Sequence, residues 1–373
     1  MKYVDEFRDG ERARHLAACI AAELQPGRTY RFMEFCGGHT HAIARHGIAA
    51  LLPDAVRLIH GPGCPVCVLP VGRIDQAIHL ALDRGAIVCT YADTLRVPAS
   101  RGLSLLKARA RGGDVRMVTT PADALAIAHA QPQREVVFFA IGFETTTPPT
   151  ALLIRQAAAE GLRNLSVLCC HVLTPPAITH ILTAPGPVAL DGFIGPAHVS
   201  IVIGSRPYED LARAHGKPVV IAGFEPLDVM QAVRMLVRQV NEGRAEAENE
   251  FTRAVTRDGN RAAQAVMDEV FERRESFEWR GLGTLPASAL RLRAAYADFD
   301  AERRFGLAYQ PVADHPKCEC GAILRGVKQP TDCTLFGSVC TPENPLGSCM
   351  VSSEGACAAH YAYGRWRDIP VVA

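Results

Sequence analysis

Short apolar runs, each stopped by glycine, proline or charge, alternate along the first 225 residues with longer segments of helical period. Tyr30–Phe35, Val56–His60, Ala86–Tyr91 and Val115–Thr119 read as strands buried in a parallel sheet. Between them, Arg73–Arg84 places Ile74, Ala77, Ile78 and Ala81 on one helical face. A second set follows at Val136–Ile141, Ser166–His171, Gly192–Ile194 and Pro218–Ala222. This βαβα rhythm predicts an α/β fold with two parallel-sheet domains, residues 30–120 and 121–225. From Pro226 to about Phe305 the pattern turns helical and charged, with Met230–Val240 and Arg261–Arg274 amphipathic. The last segment is rich in glycine, proline and cysteine and has little periodicity. Residues 226–373 are therefore expected to form a mainly helical and loop C-terminal domain, with a helix from residues 1–29 packed on it. Loops of that kind cannot make a core alone, so something other than burial must organise them.

Charge narrows the function. Lys and Arg number 40 against 39 acidic residues, which gives no net pull toward nucleic acid or anionic lipid. No basic run or stripe of stacking aromatics appears. The start, Met1-Lys-Tyr-Val-Asp-Glu-Phe-Arg-Asp9, is charged and lacks the apolar core of a signal peptide. No stretch reaches the ~20 apolar residues of a membrane helix. The expectation is a cytoplasmic protein with neither nucleic-acid nor membrane partners.

In a reducing compartment, the 13 cysteines are ligands or redox groups more readily than structural staples. Cys19, Cys89, Cys169 and Cys170 fall in apolar runs and read as small packed hydrophobes. The other nine gather at the two ends. Cys318, Cys320, Cys333, Cys340, Cys349 and Cys357 crowd 40 residues at the tail. They offer one tetrathiolate set with two sulfurs left over, and the glycine-rich loops let backbone approach inorganic sulfide. Zinc is the alternative, but this segment lacks the Cys-x2-Cys knuckles usual in zinc ribbons. Near the start, Cys36-Gly-Gly-His39-Thr-His41 follows a strand, and Gly61-Pro-Gly-Cys64-Pro-Val-Cys67 holds a Cys-x-x-Cys shortly before a helix. Cys64 and Cys67 suit a redox pair, with a helix N-terminus lowering a thiol pKa. Cys36, Cys64, Cys67 and a histidine could instead form one metal site, or the cysteines could simply pack on glycine loops. His39 would be ligand, proton donor or orienting residue.

Five separated motifs, in order, resemble those of the HypD family of [NiFe]-hydrogenase maturation proteins. They are Cys36-Gly-Gly-His-Thr-His41, Gly61-Pro-Gly-Cys-Pro-Val-Cys67, Ile141-Gly-Phe-Glu-Thr-Thr146, Asp191-Gly-Phe-Ile-Gly-Pro-Ala-His198 and Cys349-Met-Val-Ser-Ser-Glu-Gly-Ala-Cys357. The likeness runs from about residue 30 to 363. It departs at Gly-Pro-Ala before His198, where Gly-Pro-Gly is expected.

The resemblance implies two α/β domains plus a third holding a [4Fe-4S] cluster on Cys318, Cys333, Cys340 and Cys357, arranged as in ferredoxin:thioredoxin reductase. It pairs Cys320 with Cys349 and Cys64 with Cys67 as redox-active thiols. It makes Cys36 the ligand of a transient iron that carries CN and CO, shared with a small HypC partner. Cyanide would come from HypE, charged by HypF upstream, with an unidentified electron donor. Such a chain is a redox-active assembly scaffold more than a turnover enzyme, with His39 and His41 moving protons or orienting ligands. Glu144, Thr145 and Thr146 are read either as a turn or helix cap or as lining of a cleft between the sheet domains, and Asp191 and His198 are similar cases. Glu354 would either hydrogen-bond near the cluster or cap a helix. A ferredoxin-linked thiol–disulfide oxidoreductase is the rival reading, and a zinc-stabilised binding protein a third.

Overall fold

A computed structural model describes residues 5–184 and 189–364. The first four residues and the last nine of the expected N- and C-terminal segments lie outside it.

Nine parallel strands make two sheets. Strands β1 (Tyr30–Glu34), β2 (Val56–His60), β3 (Ile87–Thr90), β4 (Val115–Met117), β5 (Val136–Gly142), β6 (Leu165–His171), β7 (Gly192–Pro196) and β8 (Val219–Ala222) fall where the apolar runs predict them. A ninth, β9 (Ala247–Asn249), was not expected. The sheets are ordered β2-β1-β7-β8-β9 and β4-β3-β5-β6. Membership thus differs from two contiguous units: the chain leaves the first sheet after β2, builds the whole second sheet, and returns at β7. Strand and helix alternate identically whichever sheet a strand joins, so the apolar pattern carries no record of this excursion. β5 and β6 are buried at every position, as expected for strands covered on both faces.

Segment 226–305 is less helical than its charge pattern suggests. Pro226–Glu242 and Arg261–Val270 are helices, but between Phe271 and Leu292 lie four short antiparallel strands, β10 (Phe271–Arg273), β11 (Ser276–Trp279), β12 (Gly283–Pro286) and β13 (Leu290–Leu292). Ser276-Phe-Glu-Trp279 alternates outward and inward positions, the two-residue period of a hairpin rather than a helix. We label the helices that matter below α1 (Gly10–Glu23), α2 (Gly37–His46), α3 (Val71–Leu82), α4 (Leu105–Ala110), α5 (Thr174–Thr183) and α6 (Pro226–Glu242). α1 packs on α6, where Glu23 receives both Arg234 and Arg238. No described helix is long and apolar enough to cross a membrane.

Each sheet has a point where its connections reverse direction, between β1 and β7 in one and between β3 and β5 in the other. Crevices of open α/β sheets form at the carboxyl ends of strands flanking such a reversal. The loop carrying Cys36 leaves β1, the helix opening with Ala197 and His198 follows β7 directly, and the loop carrying Glu144 leaves β5.

A buried charge cluster fastens α3 to the hairpins. Arg73 reaches Glu302 at 2.5 Å and Gln76 at 3.0 Å, its guanidinium lying against Tyr309 and Phe277 at 4.4 and 5.1 Å. Arg274 binds the second oxygen of Glu302 and the carbonyls of Leu290 and Cys169. Burial works against the Glu302 charge, but the two guanidiniums hold its carboxyl below the usual range. Glu302→Gln leaves two cations in the interior facing one neutral amide. Urea unfolding of this variant should show a loss of about 3 kcal/mol; a loss within ~0.5 kcal/mol, the size of an ordinary surface change, would show that the cluster holds little.

Candidate metal and thiol centre

The loops after β1 and β2 are laced together. Gly61 N–H donates to the Glu34 carbonyl at 2.9 Å and Gly37 N–H to the Gly63 carbonyl at 3.1 Å. Gly63 sits so close that a β-carbon there would lie 2.2 Å from the Cys36 nitrogen, so only glycine fits. Beneath them is Glu34, fully buried. Its carboxylate accepts the Cys36 N–H at 3.0 Å, the Thr40 hydroxyl, and His60 Nδ1 at 2.9 Å. Sequence reasoning missed both Glu34 and His60. Their register pairing across β1 and β2 was the signal, because it sets an acid beside a histidine directly before the two cysteine motifs.

Cys36 is the N-cap of α2 and keeps some exposed surface. Burial of its sulfur raises the thiol pKa, and the carboxylates of Glu354 and Glu34 add to this, against the N–H groups of Gly38 and His39 that point at the sulfur. Glu354 was expected near the tail cysteines or in a cap. Instead it packs against Gly37, and its own carboxyl is raised by burial and by the charges of Asp93 and Glu34. Asp93 follows β3, so the carboxyl ends of both sheets and the tail segment converge here.

His39 is fully buried, its Nε2 lying 3.1 and 2.9 Å from the carbonyls of Ala222 and Gly223. Two acceptors there put the proton on Nε2 and leave Nδ1, which has no partner, as an acceptor. Burial lowers its pKa, against the nearby Glu34 charge and the two carbonyl contacts. Phe224 lies between the rings of His39 and His198, at 4.8 and 4.3 Å. His41 reaches the Ser353 carbonyl at 3.3 Å. Ala197, the departure from the family motif, opens the helix Ala197–Ile203 without positive φ and is unstrained. Asp191 is at the far end of its strand, holding the Arg31 N–H.

All thirteen cysteines are free thiols. Cys64 caps the single turn Pro65–Val68, which contains Cys67. The lowered thiol pKa expected near this helix start does not hold for Cys67, which burial and its contacts with Cys349 and Cys64 raise. Cys349 is the hub. Cys320, Cys357 and Cys67 all donate toward it and lower its pKa well below the usual thiol value. Cys357 also touches Cys320, and Cys318 touches Cys320. Cys340 feels Cys320 and Cys318 and accepts the Leu346 N–H at 3.4 Å. Cys333 and Cys340 flank the tight turn at Phe336. The tail and loop sets are therefore joined: Ser348 Oγ donates to the Cys67 carbonyl at 2.7 Å, and Gly355 abuts the Cys67 sulfur.

Among the described residues no three His, Cys, Asp or Glu side chains are spaced to hold a single metal ion. What fits an iron–sulfur cluster is the donor type and the cover. Cys318 and Cys357 each touch Cys320, and Cys357 also touches Cys349. Cys340 stands near Cys318 and Cys320, Cys333 is not part of these contacts, and the Asp314 carboxylate acts on Cys318. Ile323, Leu324, Met350 and Val351 are buried in the same core cluster as Cys320, Cys349 and Cys357. Gly347 keeps space open, since a β-carbon there would fall 2.5 and 2.6 Å from the sulfurs of Cys318 and Cys320.

Glu144 proves to be a cap, though for a distant helix. It accepts the N–H and hydroxyl of Thr174 at 2.8 and 3.0 Å, at the start of α5 where an acid is favoured, while also lining a cavity of about 470 Å³. Thr146 bonds local carbonyls, and Thr145 faces solvent.

A family model, HypD, described as "Hydrogenase formation hypA family", matches residues 11–364. The chain is 72% identical to "Hydrogenase maturation factor HypD" of Cupriavidus necator over 378 residues, covering all of both. It is 66% identical to the protein of that name from Azotobacter vinelandii, covering 100% of this chain and 99% of the relative. For that of Escherichia coli K12 the identity is 46%, covering 97% and 98%.

Burial pushes the Glu144 carboxyl up to about 7 against the hydrogen bonds it accepts. A raised carboxyl favours the protonated folded state. Its contribution is full below the ordinary value of 4.5 and is lost as pH rises through about 7. Glu144→Gln accepts the Thr174 N–H with its amide oxygen and donates its amide N–H to the Thr174 hydroxyl oxygen, so the variant should be more stable than the parent above pH 7 by on the order of 2 to 3 kcal/mol and lose that part of the pH slope. Parallel stability–pH curves for the two proteins would contradict this.

Proposed function

We propose, from the premise that this chain belongs to the HypD family of hydrogenase maturation factors, that it is the scaffold on which the Fe(CN)2CO unit of a [NiFe]-hydrogenase is assembled. The iron is cargo. Cys36 would hold it on one side and the amino-terminal cysteine of a HypC-like partner on the other. The two carboxylates beside Cys36 favour a dication, and binding the metal would displace the thiol proton.

The observation that carries this reading is the unbroken series of thiol contacts. It runs from Cys64 through Cys67 and Cys349 to Cys320 and Cys357, and it begins one residue after the glycine that seats Cys36. Freeing cyanide from the thiocyanate of a HypE-like donor, charged upstream by HypF, breaks an S–C bond with two electrons. The donor sulfur leaves as thiolate and takes a proton, and cyanide stays on the iron. A dithiol of this chain supplies both electrons by closing to a disulfide and releases two protons. Cys64 with Cys67 is the pair nearest Cys36, and Cys349 connects it to the tail. A [4Fe-4S] cluster on Cys318, Cys333, Cys340 and Cys357 would supply electrons singly to restore the dithiols. His39 orients the Cys36 loop. The thiol–disulfide oxidoreductase reading is not favoured: the matched relatives carry maturation names, and it leaves Cys36 without a role.

Anaerobic copurification with the small partner tests this by iron and sulfide analysis and infrared spectroscopy. The parent complex should show bands of iron-bound CN and CO. Cys36→Ser should lose them together with the labile iron. If Cys36→Ser keeps the bands and still supports hydrogenase maturation, the scaffold reading fails. Cys64→Ser should retain iron but lack the CN bands, and normal cyanide loading in that variant would remove the relay while leaving the scaffold.

A further inference from the structure

Beside the tail cysteines is a cleft of about 500 Å³ walled by the turn after β3, by α4 and by the tail itself. Its rim is basic. Arg96, Arg101 and Lys107 are exposed, and their hydrogen bonds, where present, go to carbonyls: Arg96 to Pro342 and Val351, Lys107 to Gly102. None of the three has a carboxylate at ion-pair distance among the described residues. The acids in the wall are Asp314, which is already paired with buried Arg280 at 2.6 Å, and Glu343; His315 also lines it. Arg109 and Arg111 extend the positive surface along and just past α4. Five of the 40 lysines and arginines thus fall on or beside this rim.

The floor of this cleft borders the sulfurs. Leu346 lines it and donates its N–H to the Cys340 sulfur at 3.4 Å. Pro316 lines it two residues before Cys318, and the next residue after Leu346 is the glycine packed on Cys318 and Cys320. The Leu346–Gly347 peptide thus lies between the cleft and the sulfurs of Cys318, Cys320 and Cys340, whereas Cys349 is fully buried.

We propose that this cleft is the docking surface for a small acidic one-electron carrier protein, the inlet through which the chain is reduced. The inference rests on the redox role given above to the tail cysteines and assigns the place and the partner's chemistry. Opposite charge steers such a partner into register with the thin wall at Leu346. Each docked carrier gives up one electron. Two deliveries, with two protons, convert one disulfide of the chain to two thiols, and two carriers are left oxidised.

The test uses the full chain, purified without oxygen, then oxidised with about one equivalent of a thiol-specific oxidant and desalted so that one disulfide is present, and a reduced plant-type [2Fe-2S] ferredoxin as the acidic probe. Binding of the oxidised probe by calorimetry and the stopped-flow rate of reduction should both weaken by about tenfold or more in R101E/K107E at low ionic strength. The gap between parent and variant should close between about 0.01 M and 1 M salt. Iron–sulfide absorbance, thermal stability and reduction by dithiothreitol should be unchanged in the variant. Equal binding and equal rates for parent and variant at low salt would overturn the proposal while leaving the cluster reading intact. A parent chain with no iron–sulfide chromophore would defeat the cluster reading, and the inlet with it.

Discussion

The seating of one short tail segment on the two N-terminal loops holds the centre together. Ser348 to Cys357 lies against the loops after β1 and β2, through the buried hydrogen bond from Ser348 to the Cys67 carbonyl, the contact of Gly355 with the Cys67 sulfur and the fit of Glu354 on Gly37. Without that seating, Cys67 and Cys349 would belong to separate places, and Cys36 would lose one of its two flanking acids. The contacts need small residues at the points of approach, because a single added carbon at Gly63, Gly347 or Gly355 would lie 2.2, 2.5 and 2.3 Å from backbone or sulfur, well inside van der Waals contact.

Two reversal points and one tail share the work. The sheets supply rigid ends from which Cys36, Asp93, Glu144 and His198 project; strands so thoroughly buried have little freedom to move these residues. The tail has too little apolar surface of its own and borrows order from the sheets, from Arg96 strapping it to the turn after β3 and, in the proposed holo form, from the cluster. A soft-sulfur interior and a carboxylate-flanked thiol stand side by side, one suited to electrons and the other to a metal cation.

Much of this was legible in the sequence. Eight strands fall on apolar runs, because full burial writes an unbroken apolar signature. The cysteine sets were legible from composition, and the departure at Ala197 proves harmless because the backbone there is helical. What the chain did not disclose is long-range. The interleaving of the two sheets leaves no periodic trace. The hairpins from Phe271 to Leu292 are short strands in charged surroundings and resemble helix flanks. Glu34 and His60 are unremarkable until pairing of β1 with β2 sets them opposite one another. Glu354 is close to Cys357 in sequence, yet its side chain packs on Gly37, beside Cys36.

The hydrogen bond between Ser348 and Cys67 spans 281 residues, and this separation dictates a timetable. At ~5 to 20 residues added per second, the ribosome works for roughly 15 to 55 seconds after making Cys67 before the segment that covers it exists. During that interval the Cys-Pro-Val-Cys turn has no tail to shield its sulfurs. Whatever this centre binds can meet its finished surroundings only after the segment through Cys357 has been made.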